Sequence, residues 1–223
     1  MNSAIIVAAG SGTRFGGDTP KQFVKLAGRP ILLRSIEKFD LCDSIDSIVV
    51  VVADQFVEQT RSLIEAAKFK SPVEIVTGGA TRAGSTANGL ATVKGADGIV
   101  LVHDAARPLV SVNDIQRVID AASEFGAACL ASPVADTIKR VADGEIQETI
   151  DRASLMSAQT PQGFNVAILR RAFATAADLD NATDECSLVE SLGERVSIVP
   201  ATSPNMKITT QDDIRVAEAI LRD

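Results

Sequence analysis

The chain has 223 residues, 46% of them hydrophobic, which provides enough apolar material for one large α/β domain. Its formal net charge of −7 argues against general binding to nucleic acids or to anionic membranes, because both need a basic protein surface. The sequence contains no Trp and no Tyr, so we expect a core of Val, Ile, Leu and Ala, which suits buried parallel strands and the helices that cover them.

Cysteine usage and the N-terminal residues indicate the compartment. Cys42, Cys129 and Cys186 are widely spaced and form no CxxC pair, so we expect reduced thiols rather than a disulfide framework or a zinc site. The first residues carry no basic segment, and the apolar run at residues 4–9 is too short for a signal sequence or a membrane span. We therefore expect a cytoplasmic protein.

Strand and helix patterns alternate along most of the chain. Short apolar runs predict buried strands, and apolar residues at helical spacing predict the helices between them. We predict helices that begin near Pro30 and after a capping Asp54, and a closing helix with a Thr210…Asp213 capping pattern. The predicted strands are residues 4–9, 47–52, 73–76, 99–102, 127–131 and 196–199, and the further helices are residues 81–93, 112–125, 165–177, 185–192 and 210–221. This rhythm predicts a mostly parallel, Rossmann-like α/β sheet covered by helices on both faces.

The rhythm breaks at Pro133, after which residues 134–150 alternate without helical spacing. Asp143-Gly144 lies in the middle of this stretch and is a strong hairpin signal. The stretch has no apolar face wide enough for a core, so we expect a protruding β-hairpin arm, residues 134–152, that packs against a second copy of the chain in a homodimer. An ordinary surface hairpin is the alternative. We find no linker or internal repeat and expect a single domain, residues 1–223.

A glycine-rich, basic loop follows the first predicted strand. It runs from Gly10 to Lys21 with the sequence GSGTRFGGDTPK, and its small residues let backbone N–H groups approach phosphate oxygens. The loop lacks the GxxxxGK[ST] string of a Walker P-loop, and its third glycine stands one position late for a dinucleotide fingerprint. Arg14, early in the loop, and Lys21, at its end, could place one cation at each end of a triphosphate, which predicts a loop that holds this group.

Several strings carry a family resemblance. AAGSGTRFGG followed by PKQF resembles the signature loop of sugar-phosphate nucleotidyltransferases. Five later strings narrow the resemblance to the 2-C-methyl-D-erythritol 4-phosphate cytidylyltransferase family, and this resemblance covers the whole chain. These strings are HDAARP from His103, DTIK from Asp136, DR at Asp151, TPQ from Thr160 and NMKIT from Asn205. That resemblance implies transfer of CMP from CTP to methylerythritol phosphate, with release of pyrophosphate, in the non-mevalonate isoprenoid pathway.

The chemistry of such a transfer indicates which residues carry it. The attacking phosphate is already anionic, so the reaction needs positioning and charge stabilisation more than proton transfer. Lys21 and Arg14 are the first candidates for stabilising the transition state. Asp104 follows a predicted strand at the carboxyl edge of the sheet, where a carboxylate suits Mg²⁺ or another divalent cation that bridges phosphate oxygens. We assign no chemistry to His103, which we expect to be a packed residue at a strand end.

The resemblance implies the remaining site residues. It assigns catalytic roles to Arg152 and Lys207 beside Arg14 and Lys21. It implies CTP binding by Ala8, Ala9, Gly10, Ser11, Gly12, Thr13, Arg14, Lys21, Gly78, Gly79, Ser85, Asp104, Ala105 and Lys207. It implies binding of the acceptor phosphate by Arg107, Thr137, Arg152, Thr160 and Lys207, part of it across the dimer interface. Gly78-Gly79 could instead be a plain turn, and Thr160 before Pro161 could simply shape a loop. The chain departs from the family pattern at Ala80, where Asp is frequent.

Three alternatives stay open. A ribitol-5-phosphate cytidylyltransferase would use the same chemistry on another polyol phosphate. A non-catalytic nucleotide-binding module would be expected to lack Lys21, Arg14 or Asp104, and all three are present. Fusion to a cyclodiphosphate synthase would bring metal-binding histidines, and this chain contains only His103.

Overall fold

The computed structural model describes residues 1–10, 15, 19–179 and 182–222. Strands and helices alternate through most of this part of the chain, as the sequence predicts. The strands are β1 (Ser3–Val7), β2 (Lys25–Leu26), β3 (Arg29–Pro30), β4 (Ser47–Val52), β5 (Val73–Thr77), β6 (Ile99–Asp104), β7 (Ala127–Pro133), β8 (Ile138–Ala142), β9 (Glu145–Ile150), β10 (Met156–Asn165) and β11 (Ser197–Pro200). The helices are α1 (Ile31–Asp40), α2 (Val57–Ala67), α3 (Arg82–Thr92), α4 (Val112–Phe125), α5 (Val166–Thr175), α6 (Glu185–Glu190) and α7 (Gln211–Ile220).

The central sheet has seven strands in the order β11-β7-β10-β6-β1-β4-β5. Every neighbouring pair is parallel except the two that involve β10, which runs antiparallel between β6 and β7. The prediction of a mostly parallel sheet is therefore confirmed. Because the parallel strands β1, β4, β5 and β6 all end at the same edge, the loops that follow them lie together, and this edge carries the site described below.

Two apolar clusters cover the two faces of the sheet. On one face, alternate residues of β1 and β4 pack with α1 and α4, and Phe39 of α1 is fully buried there. On the other face, the intervening strand residues pack with α3, α5 and α6, and Phe164 is fully buried. Full burial of a Phe side chain contributes roughly 1.5–3 kcal/mol. The strands read as continuous apolar runs because both of their faces are covered.

The predicted helix starts are confirmed at α1 and α7, whereas the predicted cap of α2 is wrong. Thr210 and Asp213 form the predicted capping box at the start of α7. Asp54 does not cap α2: it begins a short 3-10 turn, and Phe56 precedes the helix without a side-chain cap. Pro30 stands directly before α1 and ends β3, so its fixed φ angle serves the turn into the helix rather than the first helical turn.

The predicted hairpin is present as the pair β8 and β9, and its turn residues Asp143 and Gly144 both have positive φ angles. Such angles favour glycine and fit the tight turn that DG predicts. The arm exposes the apolar side chains of Val141 and Ile146, which are 57% and 64% accessible. Its two strands pair only with each other among the described strands, so the arm extends from the central sheet without joining it. No helix in the described part of the chain has the length and apolar character required to cross a membrane.

Candidate active site

A cavity of about 500 Å³ opens at the carboxyl edge of the sheet, between the ends of β1, β5 and β6. The segment of residues 206–209 closes one side through Lys207 and Thr209. The predicted site residues that line the cavity are Ala8, Ala9, Gly10, Lys21, Gly79, Ser85, Asp104, Ala105 and Lys207. The fold therefore brings together predicted site residues from the beginning and the end of the chain, from Ala8 to Lys207.

Part of the predicted phosphate loop lies outside the described residues. Ser11, Gly12, Thr13 and Arg14 belong to this part. The loop's two described ends, Gly10 and Lys21, both line the cavity. Lys21 directs its ammonium to the backbone carbonyl of Ile208, 2.8 Å away, which ties the end of the loop to the segment that carries Lys207.

Gly78 and Gly79 form a tightly packed corner after β5 rather than an open turn. A Cβ atom on Gly78 would lie 2.4 Å from the Cβ of Ala9, and one on Gly79 would lie 2.8 Å from the backbone of Gly84. Only glycine fits at such distances. The hydroxyl of buried Ser85 accepts the N–H of Gly79 at 3.1 Å and donates to the carbonyl of Thr81 at 2.9 Å. Ser85 thus holds this corner against the first turn of α3, and it also lines the cavity.

Asp104, the last residue of β6, is surrounded by three cations. Lys207 donates from Nζ to Oδ2 at 2.7 Å, and Arg82 donates from Nε to Oδ1 at 3.3 Å. The Nε atom of Arg107 lies 3.8 Å from Oδ2. Burial alone would raise the pKa of Asp104, but the charges of Arg82 and Lys207 outweigh it and hold that pKa well below its ordinary value. Asp104 is therefore ionised at neutral pH.

Asp104 is also fixed through its backbone by a chain of hydrogen bonds. Its N–H donates to the hydroxyl of Thr160 at 3.0 Å, and that hydroxyl lies 3.1 Å from Nδ1 of His103. The Nε2 atom of His103 lies 3.1 Å from the carbonyl of Arg107. A carbonyl only accepts, so Nε2 carries the proton and Nδ1 accepts from Thr160. Burial lowers the pKa of His103 to about 4, which keeps the ring neutral for this role.

The sequence prediction for His103 as a packed strand-end residue is confirmed, since the ring is fully buried against Phe39. Thr160 is buried within β10 and is not part of a loop. Its hydroxyl is engaged with Asp104 and His103, so in this chain it contacts the base of the site rather than the cavity wall. Arg107 is also largely buried, and its Nη1 donates to the carbonyl of Asn205 at 2.9 Å.

Thr137 and Arg152, the two predicted acceptor residues of the arm, do not line the cavity formed by this chain. Thr137 is exposed just before β8. Arg152 is exposed after β9, and its guanidinium donates to the carbonyl of Ala135 across the base of the arm. Within one chain, the structure therefore brings together the predicted nucleotide-binding residues that it describes but leaves the two arm residues apart from them.

Two charged residues of the site escaped sequence reasoning, Arg82 and Glu185. Arg82 is the first residue of α3 and lines the cavity, where its Nε contacts Asp104. Its Nη1 donates to both oxygens of Glu185, at 2.7 and 2.9 Å, and Glu185 is only 1% accessible. Burial opposes the charge of Arg82, but Glu185 and Asp104 together raise its pKa above the ordinary value. The one available signal was a basic residue in the first helical turn after Gly78-Gly79.

The cavity offers little coordination for a metal on its own. Asp104 is the acidic side chain among the described residues that line it, and these residues contain no cluster of three or more His, Cys, Asp or Glu side chains suited to a metal. Mg²⁺ usually takes one or two protein carboxylates together with substrate phosphates and waters. One ionised carboxylate at the wall of this cavity therefore fits a divalent cation that takes most of its ligands from a bound phosphate compound and from water.

Known proteins resemble this chain over its whole length. Bifunctional enzyme IspD/IspF from Anaeromyxobacter sp. is 46% identical over 98% of this chain, although the chain spans only 57% of that relative. 2-C-methyl-D-erythritol 4-phosphate cytidylyltransferase from Bacillus licheniformis is 41% identical, with 99% of this chain and 96% of the relative covered. The crystal structure of the enzyme with the same name from Thermus thermophilus superposes with a TM-score of 0.79 at 32% identity, with both chains fully covered.

The first relatives are thus longer than this chain, which spans a little more than half of their length. The family model "IspD: 2-C-methyl-D-erythritol 4-phosphate cytidylyltransferase" matches residues 2–223. A crystal structure of 4-diphosphocytidyl-2C-methyl-D-erythritol synthase from Anaerococcus prevotii superposes with a TM-score of 0.86 at 29% identity and covers all of this chain and 98% of its own. The chain belongs to the 2-C-methyl-D-erythritol 4-phosphate cytidylyltransferase family, IspD.

Proposed function

We propose that this chain transfers CMP from CTP to 2-C-methyl-D-erythritol 4-phosphate, giving 4-diphosphocytidyl-2-C-methyl-D-erythritol and pyrophosphate. The observation that carries the proposal is the cationic cavity at the carboxyl edge of the sheet. Lys21 and Lys207 line it, and the ionised Asp104 stands between Lys207 and Arg82. A member of the cytidylyltransferase family with this constellation has what a transfer between two polyanions requires.

The reaction is one displacement at phosphorus. A phosphate oxygen of the acceptor attacks the α-phosphorus of CTP, a new P–O bond forms, and the bond to the bridging oxygen of the β-phosphate breaks as pyrophosphate leaves. The nucleophile is already anionic, so no general base is required. The barrier comes from bringing two anions together and from the charge that builds up on the five-coordinate α-phosphate.

Lys21, Lys207 and Arg14 supply the positive charge in this proposal. The ammonium of Lys21 is anchored on the carbonyl of Ile208, one residue from Lys207, so both cations meet at the same wall of the cavity. We assign Lys21 and Arg14 to the triphosphate and to the transition state. Lys207 lies between the nucleotide and the acceptor and neutralises charge on both.

The nucleoside is placed at the corner after β5. Backbone groups of Gly78 and Gly79 are rigidly set there by Ser85 and by the contact with Ala9. We assign this corner to the cytosine and ribose, together with Ala8, Gly10 and Ala105. Ala80 also lines the cavity but has no polar side chain, so it offers no side-chain hydrogen bond to the ribose.

Asp104 would hold Mg²⁺ or another divalent cation jointly with the phosphates of CTP. When bound, such an ion supplies positive charge to the phosphate oxygens. The protein's own part is to keep the Asp104 carboxylate ionised and in place. The charges of Lys207 and Arg82 keep the carboxylate ionised. The hydrogen bonds that link Asp104 to Thr160 and His103 keep it in place.

The acceptor side requires a second copy of the chain in this proposal. Thr137 and Arg152 are exposed on the arm and do not line the cavity of their own chain. The arm also exposes Val141 and Ile146, which a homodimer interface would bury. We therefore assign Lys207 of one chain and Thr137 and Arg152 of the partner's arm to the acceptor side, where Arg107 and Thr160 support the site from beneath the cavity.

We further propose that residues 1–223 act as a single nucleotidyltransferase domain in the cytoplasm. The seven strands of the central sheet come from residues spread between 3 and 200, which supports a single folding unit. The three cysteines are buried free thiols, which suits a reducing compartment.

The acceptor decides between this function and its closest rival. We expect purified protein with CTP and Mg²⁺ to release pyrophosphate with methylerythritol 4-phosphate and to release little with ribitol 5-phosphate. A coupled assay for pyrophosphate measures both, and a reaction without acceptor corrects for hydrolysis of CTP. Turnover with ribitol 5-phosphate alone would overturn the proposed substrate, and CTP binding without any turnover would indicate a non-catalytic module.

A further inference from the structure

We propose that Glu185 is a positioning residue: from inside the core, its carboxylate holds the guanidinium of Arg82 in one orientation beside Asp104 at the cavity wall. The inference rests on the proposed function, since it concerns the same cavity. Glu185 does not line the cavity, and Arg82 does. Glu185 therefore acts on the site through Arg82.

The burial of Glu185 first calls for an explanation. The residue is 1% accessible and is the first residue of α6, packed against the sheet. An ionised carboxylate in such a place costs several kcal/mol unless it is paired and hydrogen bonded. Glu185 has three such bonds: two from Arg82, at 2.7 and 2.9 Å, and one from the hydroxyl of buried Thr86, at 2.8 Å. Both of these partners, Arg82 and Thr86, belong to the first two turns of α3.

The distances show how Glu185 controls the contact between Arg82 and Asp104. Arginine and carboxylate normally prefer a two-pronged pair of short bonds. Here Nη1 is engaged by Glu185, and Arg82 contacts Asp104 through Nε alone, at 3.3 Å. The short bond to Asp104 comes from Lys207, at 2.7 Å. By holding Nη1, Glu185 fixes the guanidinium in an orientation in which Arg82 meets Asp104 through one long contact from Nε, which leaves the carboxylate neutralised but accessible to a ligand.

The start of α6, which carries Glu185, is tied to β10, the strand next to that of Asp104. Asp184 caps α6 by accepting the N–H of Ser187 at 2.9 Å, and Gln162 of β10 donates to Asp184 at 2.7 Å. The same Gln162 side chain accepts the N–H of Cys186 at 3.2 Å. Because β10 pairs with β6, these bonds fix the start of α6 relative to the end of β6, where Asp104 lies.

The consequence for the reaction follows from these contacts. Without the charge of Glu185, Arg82 is free to turn toward Asp104 and form a two-pronged pair with its carboxylate. Asp104 would then be less accessible to the nucleotide and its cation, and Arg82 would no longer present the same edge to the cavity. Both changes weaken catalysis while the sheet and the capping of α6 stay intact.

Glu185→Gln removes the charge and keeps the volume. We expect kcat/KM for CTP to fall about 10- to 100-fold, the usual effect of losing a partner that orients a ligand-contacting side chain. Glu190→Gln is the matched control, because Glu190 is exposed at the other end of the same helix. It should keep wild-type kinetics. A Glu185→Gln enzyme with wild-type kcat/KM would overturn the proposal.

A double-mutant cycle with Arg82→Lys separates positioning from general stability. If Glu185 acts through Arg82, the loss caused by Glu185→Gln largely disappears in the Arg82→Lys background. Kinetics of the two single variants and the double variant test this directly. Fully additive losses would mean that Glu185 supports the fold but does not position Arg82.

Thr86→Val keeps the proposal testable if Glu185→Gln does not fold. It removes one bond to the carboxylate at nearly constant volume, and we expect a smaller loss that is again absent in the Arg82→Lys background. The wild type, assayed in parallel with methylerythritol 4-phosphate, tests the proposed function on its own. If the wild type binds CTP but shows no turnover, the double-mutant cycle is based on the Kd for CTP, measured by calorimetry. Additive changes in the free energy of CTP binding would then overturn the positioning role.

Discussion

The nucleotide side and the acceptor side of the proposed active site differ in how the fold holds them. On the nucleotide side, Asp104 and Gly79 stand at strand ends, are surrounded by fixed partners, and line one cavity. On the acceptor side, Thr137 and Arg152 sit on an exposed arm that pairs only with itself among the described strands. A single chain can preorganise the first set, whereas the second set needs a surface against which the arm can pack.

The largest effect should come from removing the arm. Ile138 and Ile150 are opposite each other in the hairpin, so residues 139–149 can be replaced by Asn-Gly while Thr137 and Arg152 stay in the chain. We expect monomers that bind CTP like the wild type but turn over at least about 10²-fold more slowly, as when substrate-positioning groups are misplaced. Sedimentation and calorimetry, with pyrophosphate release, measure the three quantities.

Phe125→Ser is the control for the arm variant, because Phe125 is 58% accessible on α4 and lies outside the arm. It should leave the oligomeric state unchanged. A monomeric arm variant with full activity would remove the distinction between the two sides, since one chain would then provide the whole site.

An effect of comparable size should come from Lys21→Ala, which tests the nucleotide side. We expect kcat to fall about 10²–10³-fold, the loss expected when one preorganised donor to a transition state is removed. Lys25→Ala is the matched control, since Lys25 is exposed on β2. Steady-state kinetics and thermal unfolding of both variants are the measurement. Near-normal kcat in Lys21→Ala would restrict Lys21 to its structural contact with Ile208.

The smallest expected effect is a pH dependence of the free energy of unfolding. It comes from His103, which must stay neutral at the base of the nucleotide side. Its pKa is about 4 in the folded chain, below the ordinary value of 6.5, so the unfolded state takes up the proton first as the pH falls. The contribution of neutral His103 to the free energy of unfolding is fully present above pH 6.5. It falls by on the order of 3 kcal/mol as the pH is lowered toward 4. Urea unfolding at pH 7, 6 and 5 should show the decline.

His103→Asn should flatten this pH dependence, because Asn does not titrate and can still bond to Thr160. His103 is the single histidine of the chain. Asp213 does not interfere, since hydrogen bonds from Thr209 and Thr210 lower its pKa to about 2, below the window. An unchanged decline in the variant would show that another group is responsible.

Local patterns predicted most of the sheet because each strand carries its own signal. Residues 47–52 and 112–125 were predicted with the observed bounds of β4 and α4. β10 was missed, since Thr160-Pro161-Gln162-Gly163 reads as a loop. The structure accommodates Pro161 in the register irregularity between Ala158 and Gln162, where the strand needs no ladder bond.

The site was predictable where a motif is local and was missed where contacts are distant. The strings around Gly10, Gly78 and Asp104 identified the cavity. Arg82 and Glu185 are 103 residues apart, and Glu185 looks like an ordinary helix-start acid in the sequence. Only the fold shows that its carboxylate is buried and paired. The arm's turn was predictable from Asp143-Gly144, whereas what the arm packs against is a property of a second molecule.

The antiparallel strand β10 also bears on how the chain reaches its folded state. It lies between β6 and β7, so a nascent chain that ends before residue 156 has two strands whose inner edges are unpaired. Such edges invite pairing between molecules. The strand that closes this gap also brings Thr160 to Asp104. We therefore expect chains truncated before residue 156 to aggregate rather than to bind nucleotide. Binding of CTP would then indicate that β10 has taken its place in the sheet.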